Sequence, residues 1–184
     1  MGDPRFPTRK YRAPLHPWEA ERIEAEGELR KKYGLKNMRE IWKAKAYLER
    51  FRRQSMELTA RMRTADPQAA KERDWLVAKM KRLGLVQENA QLTDILSLSV
   101  ETALNRRLQT LVYHKGLVST PRQARQAIVH GHIAIKGRRV TLPGYIVSVA
   151  EEPHITYHPD SPIADELHPV RPKARRADEG EVPQ

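Results

Sequence analysis

Between residues 99 and 144 the chain is punctuated more tightly than anywhere else, and this punctuation limits what it can fold into. Ser99 can cap a helix whose apolar residues Leu104, Leu108, Leu111 and Val112 fall at i, i+4, i+7 and i+8. His114-Lys115-Gly116 ends that helix, and after a short turn Thr120-Pro121-Arg122-Gln123 starts another. The start combines a hydroxyl cap, proline at the first helical position and glutamine three residues after the cap. Ala124, Ala127 and Ile128 make a narrow apolar stripe, while Arg122, Gln126 and His130 lie on another face with Arg125 beside them. Gly131 stops the helix. His132-Ile133-Ala134-Ile135 then alternates like a half-buried strand, Lys136-Gly137-Arg138 makes a tight turn, and Arg139-Val140-Thr141-Leu142 is its hairpin partner. Pro143-Gly144 turns again, and YIVSV and HITY supply further short strands. The pattern predicts a helix-helix-hairpin unit over residues 99–158.

The same punctuation gathers hydrogen-bond donors. The helix start near Thr120 offers unpaired backbone amides and the positive end of a dipole, both attractive to phosphate. Arg106 and Arg107 cannot both point into the core, so they are expected at the surface, where with Arg122 and Arg125 they surround that point. His114, Lys115, Gln123, Gln126, Lys136, Arg138 and Arg139 extend the set, with donor types that position a nucleic-acid backbone. Glu101 is the one acidic residue between positions 100 and 150.

His130 and His132 do not form a metal site on this reading. Imidazoles across a helix-ending glycine do not share a face, and a metal needs three or four oriented ligands. Catalysis by either would need a nucleophile or paired carboxylate within reach, and the local sequence supplies neither. No catalytic, cofactor or metal site is expected; the two histidines read as exposed polar residues on an RNA-facing edge.

The rest of the chain is helical and basic. Pro17 reads as a first helical position, with the helix running to about Tyr33 and stopping at Gly34. Asn37 caps the next helix, with Glu40 reaching back to it in a capping box. One face of that helix carries Ile41, Ala44, Leu48 and Phe51; the other carries Lys43, Lys45, Arg50, Arg52, Arg53, Arg61 and Arg63, and reads as a polyanion contact. Asp66-Pro67 starts a third helix that ends near Gly84, with Trp75, Val77, Met80 and Leu83 on its apolar side. Trp18, Trp42 and Trp75, one per helix, are expected to share the core. Residues 17–98 thus form a helical domain. Residues 1–16 form a proline-broken arm bearing Arg5, Arg9, Lys10 and Arg12, either seated in a phosphate-rich groove or solubilising and unstructured. Residues 159–184 read as a flexible tail.

With 34 Lys and Arg against 23 Asp and Glu, the formal net charge is +11. An excess of that size repels itself in the folded state and persists where a polyanion neutralises it; nucleic acid is the leading partner, an anionic membrane surface the second. There is no cysteine, which excludes disulfides, thiolate zinc sites and cysteine nucleophiles together. No membrane span, no secretory signal and no small-molecule substrate are expected. The first hundred residues lack a glycine-rich phosphate loop, a GxSxG elbow and an HExxH helix.

The series RRLQTLVYHKGLVSTPRQARQAIVHGHIAIKGRRVTLPGYIV closely resembles the small RNA-binding module named after small-subunit ribosomal protein four. The landmarks are Arg107-Leu108, Leu111, Gly116, Ser119, Ala124-Arg125-Gln126, Ile128, Gly131-His132-Ile133, Gly137, Val140 and Pro143. YGLKNMREIWKAKAYLERFRRQ and the arm before it are similar to the archaeal and eukaryotic branch of that ribosomal-protein family. The resemblance implies an α+β protein, a structural constituent of the cytoplasmic small ribosomal subunit without chemistry of its own. It further implies early binding to the 5′ domain of small-subunit ribosomal RNA, contact with small-subunit ribosomal protein five, and a part in decoding accuracy. Some bacterial members carry a cysteine cluster for zinc, which this chain lacks; Lys136 stands where the family usually has asparagine. The same module also appears on RNA-modifying enzymes, tyrosyl-tRNA synthetases and RNA chaperones, which are the competing classes.

Overall fold

A computed structural model describes residues 9–64, 66–165, 168, 169 and 171. Arg5, the start of the arm and most of the tail lie outside the described residues. The fold is α+β. Three helices, α1 (Ala20–Lys32), α2 (Met38–Arg63) and α3 (Pro67–Arg82), are followed by the short α4 (Leu92–Ser97), α5 (Val100–Asn105), α6 (Leu108–His114) and α7 (Pro121–Val129). A small antiparallel sheet closes the order, with β1 (Ile133–Ile135) between β2 (Arg138–Arg139) and β3 (Ile155–Tyr157).

The local start and stop signals operate as chemistry dictates. The Asp66 carboxylate accepts the Gln68 amide at 3.0 Å, and the Thr120 hydroxyl accepts the Gln123 amide at 3.2 Å. Gln123 returns its side-chain oxygen to the Ser119 amide at 3.0 Å, one residue earlier than a standard capping box. Lys136 and Gly137 have φ of 50° and 75°, so the hairpin turns on two left-handed residues, the combination that matches strand twist.

Other expectations change. The helix predicted from Pro17 begins at Ala20. Asn37 precedes α2 without a side-chain cap bond, and Glu40 is engaged elsewhere. The helix predicted from Ser99 is broken at Arg106-Arg107. There residues 145–147 insert as a partner: Leu108 N–H donates to the Tyr145 carbonyl at 2.8 Å, and Val147 N–H to that of Arg106 at 3.0 Å. Residues 145–149 therefore make a bridge at Ile146, with no regular strand. β1 is buried along its whole length instead of alternating, because Ala134 is small and sits between two strands. Trp18 and Trp75 are 91% and 60% exposed, so the shared tryptophan core does not exist.

Three apolar clusters hold the chain. α2, α3 and α4 bury Phe51, Leu58, Leu76, Met80 and Ile95; α6, α7 and the sheet bury Leu108, Val112, Ile128, Ile133 and Val147. Between them Tyr33, Leu35, Ile41 and Leu104 form a joint. The joint includes Gln109, 1% exposed, whose amide nitrogen donates to the carbonyls of Tyr33 (3.1 Å), Gly34 (3.0 Å) and Pro121 (2.9 Å). Buried polar groups persist where such bonds compensate them.

Candidate nucleic-acid interface

The site is built where α1 ends against the start of α7. Gly34 has φ of 59°, and a Cβ placed on it would lie 2.9 Å from Pro121 Cβ and 3.0 Å from the Arg122 nitrogen. Only glycine allows both the left-handed turn and that approach. The approach opens a groove of about 380 Å³ lined by Arg30, Lys31, Lys36, Arg122 and Arg125 as well as Gly34 and Leu35. No carboxylate lines it. Sequence reasoning found Arg122 and Arg125 but missed Arg30, Lys31 and Lys36. The signal was the basic last turn of α1 just before Gly34, which became legible only once that loop was seen against α7.

Two carboxylates, Glu40 half-buried and Glu26 buried, decide which cations face outward. Glu40 accepts from Arg107 Nη2 at 2.6 Å and from Arg125 Nη2 at 2.7 Å. Burial pushes the Glu40 carboxyl up, but the hydrogen bonds and charges of Arg125 and Arg107 outweigh it and hold the group below its ordinary range. Arg107 is 8% exposed, so its expected surface position is wrong: it is a structural cation. Arg106 is also held inward, with Nη1 2.7 Å from Glu152 and Nη2 donating to the Val147 carbonyl. Glu26, 2% exposed, accepts from Lys45 at 2.7 Å, Trp42 at 3.0 Å and Arg22 at 3.1 Å. Arg22 in turn donates to the carbonyls of His16 and Pro17, fixing the end of the arm against α1.

The predicted residues consequently divide. Arg122, Gln126, His130, Thr120 and His114 are exposed on the module, as are Lys136, Arg138 and Arg139 on the hairpin. Lys115 is exposed but bonds the Glu152 carbonyl. Gln123 is half-buried in its capping role, and Arg125 is half-buried at the groove with its charge shared by Glu40. His132 is half-buried, with Nδ1 2.9 Å from the Ser161 hydroxyl; burial, then His130, Arg139 and His168, hold its imidazole below the usual range. On α2, Arg53 is exposed beside Lys43, Arg50 and Arg63, whereas Arg52 is drawn to the Leu98 carbonyl. Arg61 pairs with Asp66 and Glu72, so the row is thinner than its sequence implies. Arg9, Lys10 and Arg12 are exposed on the arm, next to Tyr11, whose ring packs on Trp42 at 5.9 Å.

Such an arrangement has the charge and shape to hold anions. Guanidinium and ammonium groups gathered beside the positive end of α7, together with a basic turn, suit phosphate oxygens. Among the described residues no cluster of three or more histidine and carboxylate groups is placed to hold a metal. No described helix is long and apolar enough to cross a membrane.

Comparison with known proteins agrees with this geometry. Residues 106–152 match the family model of the S4 domain. The chain is 51% identical over 171 residues to the small ribosomal subunit protein uS4 of Thermoplasma acidophilum, covering 93% of this chain and 86% of that protein. Its similarity to uS4 of Picrophilus torridus is 51% over 171 residues, 93% of each chain. With uS4 of Methanococcus aeolicus it shares 50% over 172 residues, 93% of this chain and 96% of the relative. A module read from its turns, a basic face left open by its ion pairs and relatives alike over almost their whole length converge: the chain belongs to the uS4 family of small ribosomal subunit proteins.

Proposed function

We infer that the chain grips small-subunit ribosomal RNA through one continuous basic surface, running from the last turn of α1 across the start of α7 to the β1–β2 turn. The chain is a structural constituent of the small ribosomal subunit. The observation that carries the RNA-gripping surface is the carboxylate-free groove between Gly34 and Arg122, where cations from distant parts of the sequence converge on the start of α7.

Binding rests on phosphate contacts and on the shape of folded RNA, with little reading of base sequence. Arg122, Lys136, Arg138 and Arg139 are the outward contacts of the module, with Thr120, Gln126, His130 and His114 beside them. Arg53 and the arm residues Arg9, Lys10 and Arg12 contact separate RNA segments. Arg5 belongs to the same proposal from its place in the arm. Residues 17–98 act as one helical body and 99–158 as the RNA module. The wider family reading extends this to the 5′ domain of the RNA, to contact with small-subunit ribosomal protein five, to a cytoplasmic site of action and to support of assembly and accuracy, with no catalytic step.

Sedimentation of the native protein with salt-washed ribosomes tests the reading. Co-migration with free small subunits at high salt is the expected result. Recovery only in the soluble fraction overturns it, and RNA modification or aminoacylation by the pure protein would revive an enzyme.

A further inference from the structure

A second hollow lies on the far side of α7, between the end of that helix and the segment that follows β3. Its volume is about 500 Å³, and no carboxylate lines it. Its wall is partly built outside the stretch that matches the S4 domain. After β3 the chain folds back: His158 N–H donates to the His132 carbonyl at 2.9 Å, and the Ser161 hydroxyl meets His132 Nδ1 at 2.9 Å. The Ser161 oxygen also accepts the Ile163 amide at 3.2 Å, which sets the 3-10 turn Pro162–Ala164 as a lip.

We propose that this hollow receives one unpaired nucleobase turned out of an RNA strand. The inference rests on the RNA-binding reading above and adds a base-sized site to it. Val118, Ala127 and Ile163 supply apolar walls, while Gln126, His130 and His132 place an amide and two imidazoles among them. That mixture suits a flat heterocycle with hydrogen-bonding edges, and volumes of roughly 300–1,000 Å³ are usual for small-molecule pockets. Sequence-selective RNA contacts generally use bases splayed out of single strands, packed on rings and bonded at their edges.

Charge favours a nucleotide over an apolar side chain of a protein. Arg139 lies across the end of α7, its Cδ 2.8 Å from where a Cβ on Gly131 would be, and its guanidinium is exposed. His130 and His132 face each other nearly parallel, ring centres 6.0 Å apart, at the same end. A phosphate at Arg139 therefore leaves its attached base beside the hollow. Tyr157, also at the hollow, is already committed: its hydroxyl donates to the Leu117 carbonyl and Arg171 covers its ring at 4.9 Å. It acts as a fixed wall.

The test uses the full chain bound to transcribed small-subunit ribosomal RNA. Crosslinking with RNA transcribed in parallel with photoreactive thio-substituted uridine or guanosine, so that pyrimidine and purine sites are both covered, is followed by mass spectrometry of the attached peptides. Ile163→Trp fills the hollow and Arg122→Ala lies outside it. The wild type should crosslink within residues 126–132 or 155–163. I163W should lose that crosslink and roughly tenfold or more in affinity with its salt slope unchanged, as for a lost uncharged contact. R122A should keep the crosslink while its slope falls. If I163W does not fold, Gln126→Trp blocks the same mouth from an exposed position and is held to the same outcomes. RNA binding with no crosslink in these peptides, or with wild-type affinity in the blocked variant, overturns the base site and leaves the ribosomal reading standing. Crosslinks from these peptides to a protein neighbour in reassembled subunits overturn it equally. Failure of the wild type to bind the RNA overturns both.

Discussion

The Glu40 carboxylate lies 2.6 Å from the guanidinium of Arg107, 67 residues further along the chain. Its other oxygen holds Arg125 at 2.7 Å. One acid from α2 thus satisfies a buried cation of the S4-domain segment and holds a second one at the groove.

Glu40→Ala should destabilise the fold by about 3 kcal/mol, because it strands a buried guanidinium. Urea denaturation read by circular dichroism measures this. The Glu40 carboxyl sits below its unfolded range when folded, so its contribution is present above that range and is lost as pH falls through the lowered value. Glu40→Gln should therefore flatten the acid limb of the stability profile. An unchanged acid limb would show that the pair does not stabilise the fold.

Replacing Gln109 separates a hydrogen-bonding role from a space-filling one. Gln109→Leu leaves buried carbonyls without their donor, at about 1–3 kcal/mol. Gln109→Glu should cost more near neutral pH, where a carboxylate faces the Tyr33, Gly34 and Pro121 carbonyls, and recover part of that loss on acidification as it protonates. Thermal melts of both variants across pH distinguish the two outcomes; equal melts at all pH values would refute the donor role.

Gly34 and Gly116 make a controlled pair. Both have positive φ, but a Cβ at Gly34 meets Pro121 and Arg122 whereas nothing lies within 4 Å at Gly116. Gly116→Ala should cost only backbone strain, about 1 kcal/mol. Gly34→Ala should cost clearly more and also weaken RNA binding, since relief of the clash moves the start of α7. Equal losses in both variants would separate Gly34 from the groove.

Salt titration of RNA binding reads the groove directly. Arg122→Ala and Lys36→Ala should each lower the salt slope by about one. Arg125→Ala should lower it less, because Glu40 already shares that charge. An unchanged slope for Arg122→Ala would remove that residue from the phosphate contacts.

The elements that were legible in the sequence are those decided within a few residues. Thr120, Asp66, Gly34, Gly131 and the Lys136-Gly137 turn act through their own backbone preferences and nearest amides. The break at Arg106-Arg107 was illegible because apolar spacing continues through it; the cause is residues 145–147, paired from far along the chain. Charge was legible as a total but not as a surface. Arg107, Lys45 and Arg61 look like neighbours of Arg122 and Arg53 in composition, yet Glu40, Glu26, Asp66 and Glu72 pair with them. Glu40 itself fitted a local capping role, and the tertiary ion pairs outcompeted it. Trp18 precedes α1 and Trp75 faces outward on α3, so neither joins an apolar layer.

The three carbonyls gathered by Gln109 have a further consequence for how the molecule meets its RNA. With Gly34 packed against Pro121 and both carbonyls tied to one side chain, the end of α1 and the start of α7 are joined without any nucleic acid present. On the proposed RNA-gripping reading the protein is a template and not a hinge: RNA folds that present their phosphates at the matching angle would be captured, and those that do not would be left to refold.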